Sequence, residues 1–120
     1  MNKIEPNLNC LETCFGRPAG LQALIDYAND SIVSKTLLDK PAGTITLFAF
    51  DAGQRLSEHT APFDAVVQVI DGKGVITING KDHTVQAGQI IIMPADIPHA
   101  VHADERFKML LTMIRSRNSA

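Results

Sequence analysis

From Ser31 to Ile114 apolar and polar positions alternate with a period of two, in short runs separated by turn residues. That period marks a strand with one buried face. The runs predict strands over residues 31–39 (SIVSKTLLD), ended by Lys40-Pro41, and 44–51 (TITLFAFD), ended by Ala52-Gly53. Further runs lie at residues 65–70, 75–78, 83–86, 89–93, 99–102 and 107–114. Asp71-Gly72-Lys73-Gly74 reads as a compact hairpin between the third and fourth runs. Asn79-Gly80 reads as a type I′ turn, whose two central residues need positive φ. Eight short strands with turns every few residues predict an all-β antiparallel sandwich or barrel.

Before Ser31 the period changes. Residues 19–28 (AGLQALIDYA) set Leu21, Leu24, Ile25 and Ala28 at i, i+3, i+4 and i+7, which predicts a short amphipathic helix. Residues 1–18 are polar, carry Pro6, Gly16 and Pro18, and read as an irregular arm. The expected organisation is an arm and helix over residues 1–30 and a barrel over residues 31–115, within a single domain.

Composition narrows the core and the partners. The 120 residues suffice for one continuous core, and 45% of them are hydrophobic, with no Trp, one Tyr and five Phe. Such a core is built from Val, Ile, Leu, Met and Ala, a mixture that favours strands. The net charge is −2, and no Lys or Arg cluster is large enough to track a phosphate backbone, so no nucleic-acid partner is expected. Arg115 and Arg117 read as part of a solvated C-terminus. No run of 18 apolar residues and no signal-peptide pattern occurs, so no membrane association and a cytoplasmic location are expected. Cys10 and Cys14 have the i, i+4 spacing of one helical face rather than of a redox pair, and two cysteines alone cannot close a four-ligand zinc site.

The chemistry-bearing residues sit in two segments. In the first, Gly53 is followed after five residues by His59, then by Ala61, Ala65 and, after six more, Gly72. In the second, Gly88 is followed after five residues by Pro94, then by Asp96, His99 and Ala103. These segments resemble the two motifs of the cupins, G-x5-H-x-H-x3-4-E-x6-G and G-x5-P-x-G-x2-H-x3-N. Gly53, His59, Gly72, Gly88, Pro94 and His99 match. Ala61 stands at the second histidine, Ala65 at the glutamate, Asp96 at a glycine and Ala103 at the asparagine. More closely, SEHTAPFDAVVQVIDG with IIMPADIPHAV is similar to small cupins that carry alanine at both ligand positions.

The resemblance implies a cupin jelly-roll (double-stranded β-helix) barrel, a homodimer, and a lumen where three imidazoles and a carboxylate would hold Zn, Ni, Fe or Mn for isomerase, dioxygenase or decarboxylase chemistry. Here only His59 and His99 of those four groups remain, so they are the candidate metal ligands. Strand alternation turns positions 59 and 61 to one face, while Glu58, Gln68 and His102 have the parity of the other. Gln54 and Asp64 lie near the expected mouth, and His83 follows a turn and is expected to be solvent-exposed.

The candidate ligand pocket is His59, Ala61, Ala65, Val67, Met93 and His99. Val69, one of Phe48 and Phe50, and one of Met109 and Met113 extend the expected apolar lining. An apolar cavity with few convergent polar groups is the usual make-up of a small-molecule site. Three functions stay open: a small-molecule-binding barrel, a metal-dependent enzyme with a reduced two-histidine site, and a ligand-free barrel that binds a partner through its edge strands.

Overall fold

The computed structural model describes residues 14–115. Among them eight strands form: β1 (Ile32–Lys40), β2 (Gly43–Phe50), β3 (Arg55–His59), β4 (Phe63–Ile78), β5 (Lys81–Gln86), β6 (Ile90–Met93), β7 (His99–His102) and β8 (Phe107–Arg115). All pair antiparallel. One sheet runs β1-β2-β8-β4-β6 and the other β5-β4-β7-β3, with β4 common to both. The inner faces enclose one apolar core, giving the all-β cupin jelly-roll barrel expected. No helix of the described residues is long and apolar enough to cross a membrane.

The hairpin expected at Asp71-Gly72-Lys73-Gly74 does not form; the two runs around it are one 16-residue strand. Up to Gly72, β4 pairs with β8, and from Lys73 it pairs with β5. A bulge between Val69 and Asp71 inserts one residue and reverses the alternation. Ala65, Val67 and Val69 therefore face the core before it, and Gly74 and Ile76 face the core after it. That phase change reads in the sequence as a break. The glycines serve close approach: Gly72 has φ +66, and a Cβ on Gly74 would stand 2.4 Å from the Phe107 ring. Phe107 in turn stacks on Phe50, with centroids 4.7 Å apart and planes at 11°, and both rings are fully buried. This stack closes the barrel at the bend of β4.

Two further differences matter. The helix expected over residues 19–28 is reduced to a single 3-10 turn, Gln22–Leu24. Leu21 at its start supplies no capping side chain, and Ile25 is already extended at φ −147° and ψ 141°. Extension lets Ile25, only 1% exposed, reach a second apolar cluster with Leu47 and Ala49 on the outer face of the first sheet. Tyr27 packs on the same cluster, its hydroxyl donating to Asp71 Oδ2 at 2.5 Å, between Arg106 and Lys108. Strand β3, which carries His59, was not among the expected runs. The Asn79-Gly80 turn is as expected, with φ of 51° and 81°. Cys10 and most of the arm lie outside the described residues.

A Gly74→Ala variant tests the bend. Its Cβ meets a ring held by a stacked, buried neighbour, so overpacking should cost about 1–3 kcal/mol. Urea unfolding is expected to show a lower midpoint with an unchanged slope.

Candidate functional site

The end of the barrel opposite the phenylalanine stack is built by two connections that cross between the sheets. Residues 60–62 join β3 to β4, and residues 94–98 join β6 to β7. They are tied together: Asp96 N–H donates to the Ala61 carbonyl at 2.8 Å, and Ala95 N–H donates to Asp64 Oδ1 at 2.9 Å. Asn79 N–H donates to the Pro98 carbonyl at 2.8 Å and links the β4–β5 turn to the same rim. Asp96 has φ 65°, the left-handed conformation that glycine gives at this position of the family motif and that Asp tolerates better than most residues.

On this rim β3 and β7 bring His59 and His99 together as a cross-strand pair. A bulge between Leu56 and His59 re-aims the end of β3, so that His59 meets His99 while Glu58 stays exposed. The two Nε2 atoms are 3.2 Å apart, with ring centroids 4.4 Å apart and planes at 71°. Each Nδ1 lies against a backbone carbonyl, His59 on Ser57 at 2.8 Å and His99 on Ile97 at 3.1 Å. A carbonyl oxygen only accepts, so both Nδ1 atoms carry the proton and donate.

That assignment fixes the chemistry at the other nitrogens. Both Nε2 atoms are then bare acceptors 3.2 Å apart, and two lone pairs do not bond. Moving one proton to Nε2 would set an Nδ1 lone pair against a carbonyl oxygen instead. A pair of this kind can accept a proton, a hydrogen-bond donor such as solvent water at the exposed His59, or a metal ion. For a metal the spacing fits, since two nitrogens each about 2.0–2.1 Å from one tetrahedral ion stand roughly 3.3–3.4 Å apart. A ligating histidine also characteristically donates its second ring N–H to a carbonyl or carboxylate.

His99 is 4% exposed, whereas His59 is exposed to solvent. Burial lowers the His99 pKa below the usual 6.5, the nearby His59 lowers it further, and the Ile97 carbonyl partly opposes both. The shift favours the neutral form of His99, the state in which an imidazole ligates.

The apolar residues expected around the pair fall in one cluster. Ala65, Val67, Val69, Met93, Phe50 and Met109 are buried together, with Phe48 and Met113 packed against them. Ala65 pairs with Met93 in the row nearest the rim, and Val67 sits one inward step deeper. Ala61 is half-buried on the rim, held through its carbonyl. The other polar candidates stay away. His102 faces the opposite side of β7, 3.6 Å from Asp104, Gln68 is exposed, and Gln54 bonds through its backbone to Ala103. His83 is half-buried on β5 rather than exposed. Among the described residues no three His, Cys, Asp or Glu side chains converge on a metal position. Leu56 and Ile78, partly buried against the cluster, are lining residues that the sequence reading omitted.

The comparisons agree with this architecture. Residues 46–114 match the family model described as the Cupin domain. A conserved Streptococcus pyogenes protein of unknown function superposes with a TM-score of 0.80 at 36% identity, over 85% of this chain and 90% of that one. A Cupin 2 conserved barrel domain protein from Leptotrichia buccalis is 42% identical, with a TM-score of 0.77, over 79% of this chain and 46% of that one. A cupin superfamily protein from Desulfitobacterium hafniense gives a TM-score of 0.79 at 28% identity, over 83% and 92% of the two chains. Among curated proteins none matches.

Because the His99 pKa is lowered in the folded state while the unfolded chain titrates near about 6.5, the unfolded chain binds more protons as pH falls towards and below that value. This contribution to stability is fully present above the unfolded pKa and is lost progressively as pH falls from there through the lowered folded pKa. Melting temperatures measured from pH 7.5 to 5.5 should fall, with a shallower slope in His99→Gln than in the parent. Sequence, barrel and rim together place this chain in the cupin family.

Proposed function

We propose that this chain binds a small molecule at the rim of its barrel, through a divalent metal ion held by the Nε2 atoms of His59 and His99. One observation carries the reading: two bare imidazole nitrogens lie 3.2 Å apart with both rings fixed by backbone carbonyls. Imidazole suits Zn, Ni and Fe, and Mn is compatible with the oxygen ligands that would complete its shell. A bound metal at this place supplies Lewis acidity to a coordinated ligand. The chain's own residues do the rest. His59 and His99 hold the charge at the rim, and Ala65 and Met93 belong to the buried apolar cluster of the barrel. Ala61 and Ala65 are smaller than the His and Glu that the family motif has at these positions.

A second reading is favoured by the absence of a third converging ligand among the described residues. In it the imidazoles accept hydrogen bonds from a hydroxyl or ammonium group of a metal-free ligand. The two readings differ in what His59→Ala removes.

We further propose a homodimer. It is supported by the outer face of the first sheet, where Ile90, Ile92 and Ile114 are each more than half exposed beside a groove of about 500 Å³ lined by Leu21, Gln68 and Ile90. Apolar side chains gathered on one sheet face commonly mark an interaction surface.

For the site, protein purified without chelator is expected to take up Ni²⁺ or Zn²⁺ in a calorimetric titration. His59→Ala and His99→Ala should each weaken that binding by more than about tenfold, beyond the loss typical of an outer-shell partner. Uptake unaffected by either change would remove the metal reading. For the assembly, light scattering behind size exclusion should give twice the 13.0 kDa chain mass, shifting towards monomer in Ile92→Glu. A monomeric parent would sink the dimer.

A further inference from the structure

Resting on the homodimer reading above, we infer how the two copies join: β6 of one chain pairs antiparallel with β6 of a second copy about a twofold axis, so that their two first sheets run on as one. The open edge follows from the hydrogen bonds of the neighbouring strand. Val69 N–H donates to the Gln89 carbonyl at 3.1 Å, and the Val69 carbonyl accepts the Gly88 N–H at 2.9 Å. Both main-chain groups of Val69 thus point to the ribbon that leads into β6. Alternation turns those of Val67 and Ala65 the same way, to Ile91 and Met93, their partners in register. The N–H and C=O groups of Ile90 and Ile92 therefore point outward, and β6 pairs with no described strand other than β4.

Charge selects the occupant. A twofold contact sets a surface against its own copy, so a charge near the axis meets its like. Among the described residues the edges of the two sheets are β1, β3, β5 and β6. Strand β1 carries Lys35, Asp39 and Lys40 with a bulge between Thr36 and Leu38, β3 carries Arg55 and Glu58 with a bulge before His59, and β5 begins with Lys81 and Asp82. Charges and bulges are the usual devices that keep an edge from pairing. Strand β6 has neither: it reads Ile-Ile-Ile-Met, its register to β4 is unbroken, and no Asp, Glu, Lys or Arg occurs between Asp82 and Asp96. Its outward side chains Ile90 and Ile92 are 59% and 54% exposed. Antiparallel self-pairing stands these β-branched side chains beside those of the copy, a stabilising cross-strand combination. The groove lined by Leu21, Gln68 and Ile90 borders the same edge.

The test uses the whole chain. Hydrogen exchange of the β6 backbone amides is followed by NMR above and below the dimer dissociation constant, which sedimentation locates. In the dimer the amides of Ile90 and Ile92 should exchange at least about tenfold more slowly than in the monomer, while those of Ile91 and Met93, bonded to β4, stay protected in both. Ile92→Pro removes an N–H that faces the partner and no bond to β4. It should weaken the dimer at least about tenfold beyond Ile92→Ala, which keeps the N–H, with the monomer still folded by circular dichroism. Where Ile92→Pro does not fold, the exchange result alone decides. A dimer in which Ile90 and Ile92 exchange freely, or one that a folded Ile92→Pro weakens no more than Ile92→Ala, overturns edge pairing and leaves a dimer joined through the sheet face. Ile90 and Ile92 amides protected equally in the monomer overturn it in favour of an edge covered within one chain. A chain that is monomeric at every concentration overturns the homodimer and this inference with it.

Discussion

The passage of β4 from one sheet to the other is the constraint on which the barrel depends. A single strand can serve both sheets only if its inward face is kept through the bend. The bulge between Val69 and Asp71 does this by inserting one residue where the direction changes. The bend is stable because Gly72 and Gly74 let Arg106 and Phe107 approach the backbone, and the Phe50–Phe107 stack fills the corner. Full burial of two such rings contributes on the order of 1.5–3 kcal/mol each, comparable with a large share of a small domain's net stability. With that end closed by apolar packing, the opposite end, where the crossing connections meet, is left for polar groups.

The rim is organised by backbone more than by side chains. Carbonyls of Ser57 and Ile97 fix the imidazoles, the Ala61 carbonyl holds the connection before β7, and Asp96 takes a left-handed turn to make that bond. The outer face of the first sheet is held differently, by Ile25 packing and by Tyr27 between two cations. Arg106 extends this grip to Asp51 and Asn29, and its contact holds the Asp51 carboxyl below the usual carboxylate range. The core and the arm side thus rely on packing and charge, whereas the site relies on the path of the chain.

Much of this was legible in the sequence, and the exceptions share a cause. Period-two alternation located most strands, and the register of Gly53, His59, Gly72, Gly88 and His99 located the two imidazoles at one place. The buried set Ala65, Val67, Val69 and Met93 followed from alternation as well. What failed was any reading that assumed an unbroken period. The bulges before Asp71 and His59 shift the phase, so a continuous strand looked like a hairpin and residues 55–59 were absent from the period-two runs, although the motif set His59 on a strand. Residues 19–28 have helical spacing, but the outer sheet face gains more from an extended Ile25 and Tyr27 than from a short uncapped helix. The carbonyl partners of the histidines have no sequence signature at all, since every residue carries one.

That last property bears on how such a site changes over generations. The imidazoles take their tautomer and direction from main-chain oxygens, so the identity of the side chains at Ser57 and Ile97 is free to drift without turning the rings. The walls at Ala61, Ala65 and Met93 can likewise be exchanged while the pair itself stays aimed. Under the proposed function, a barrel of this design separates the part of the site that must be conserved in geometry from the part that would select the guest, so that new ligands could be acquired by altering its lining alone.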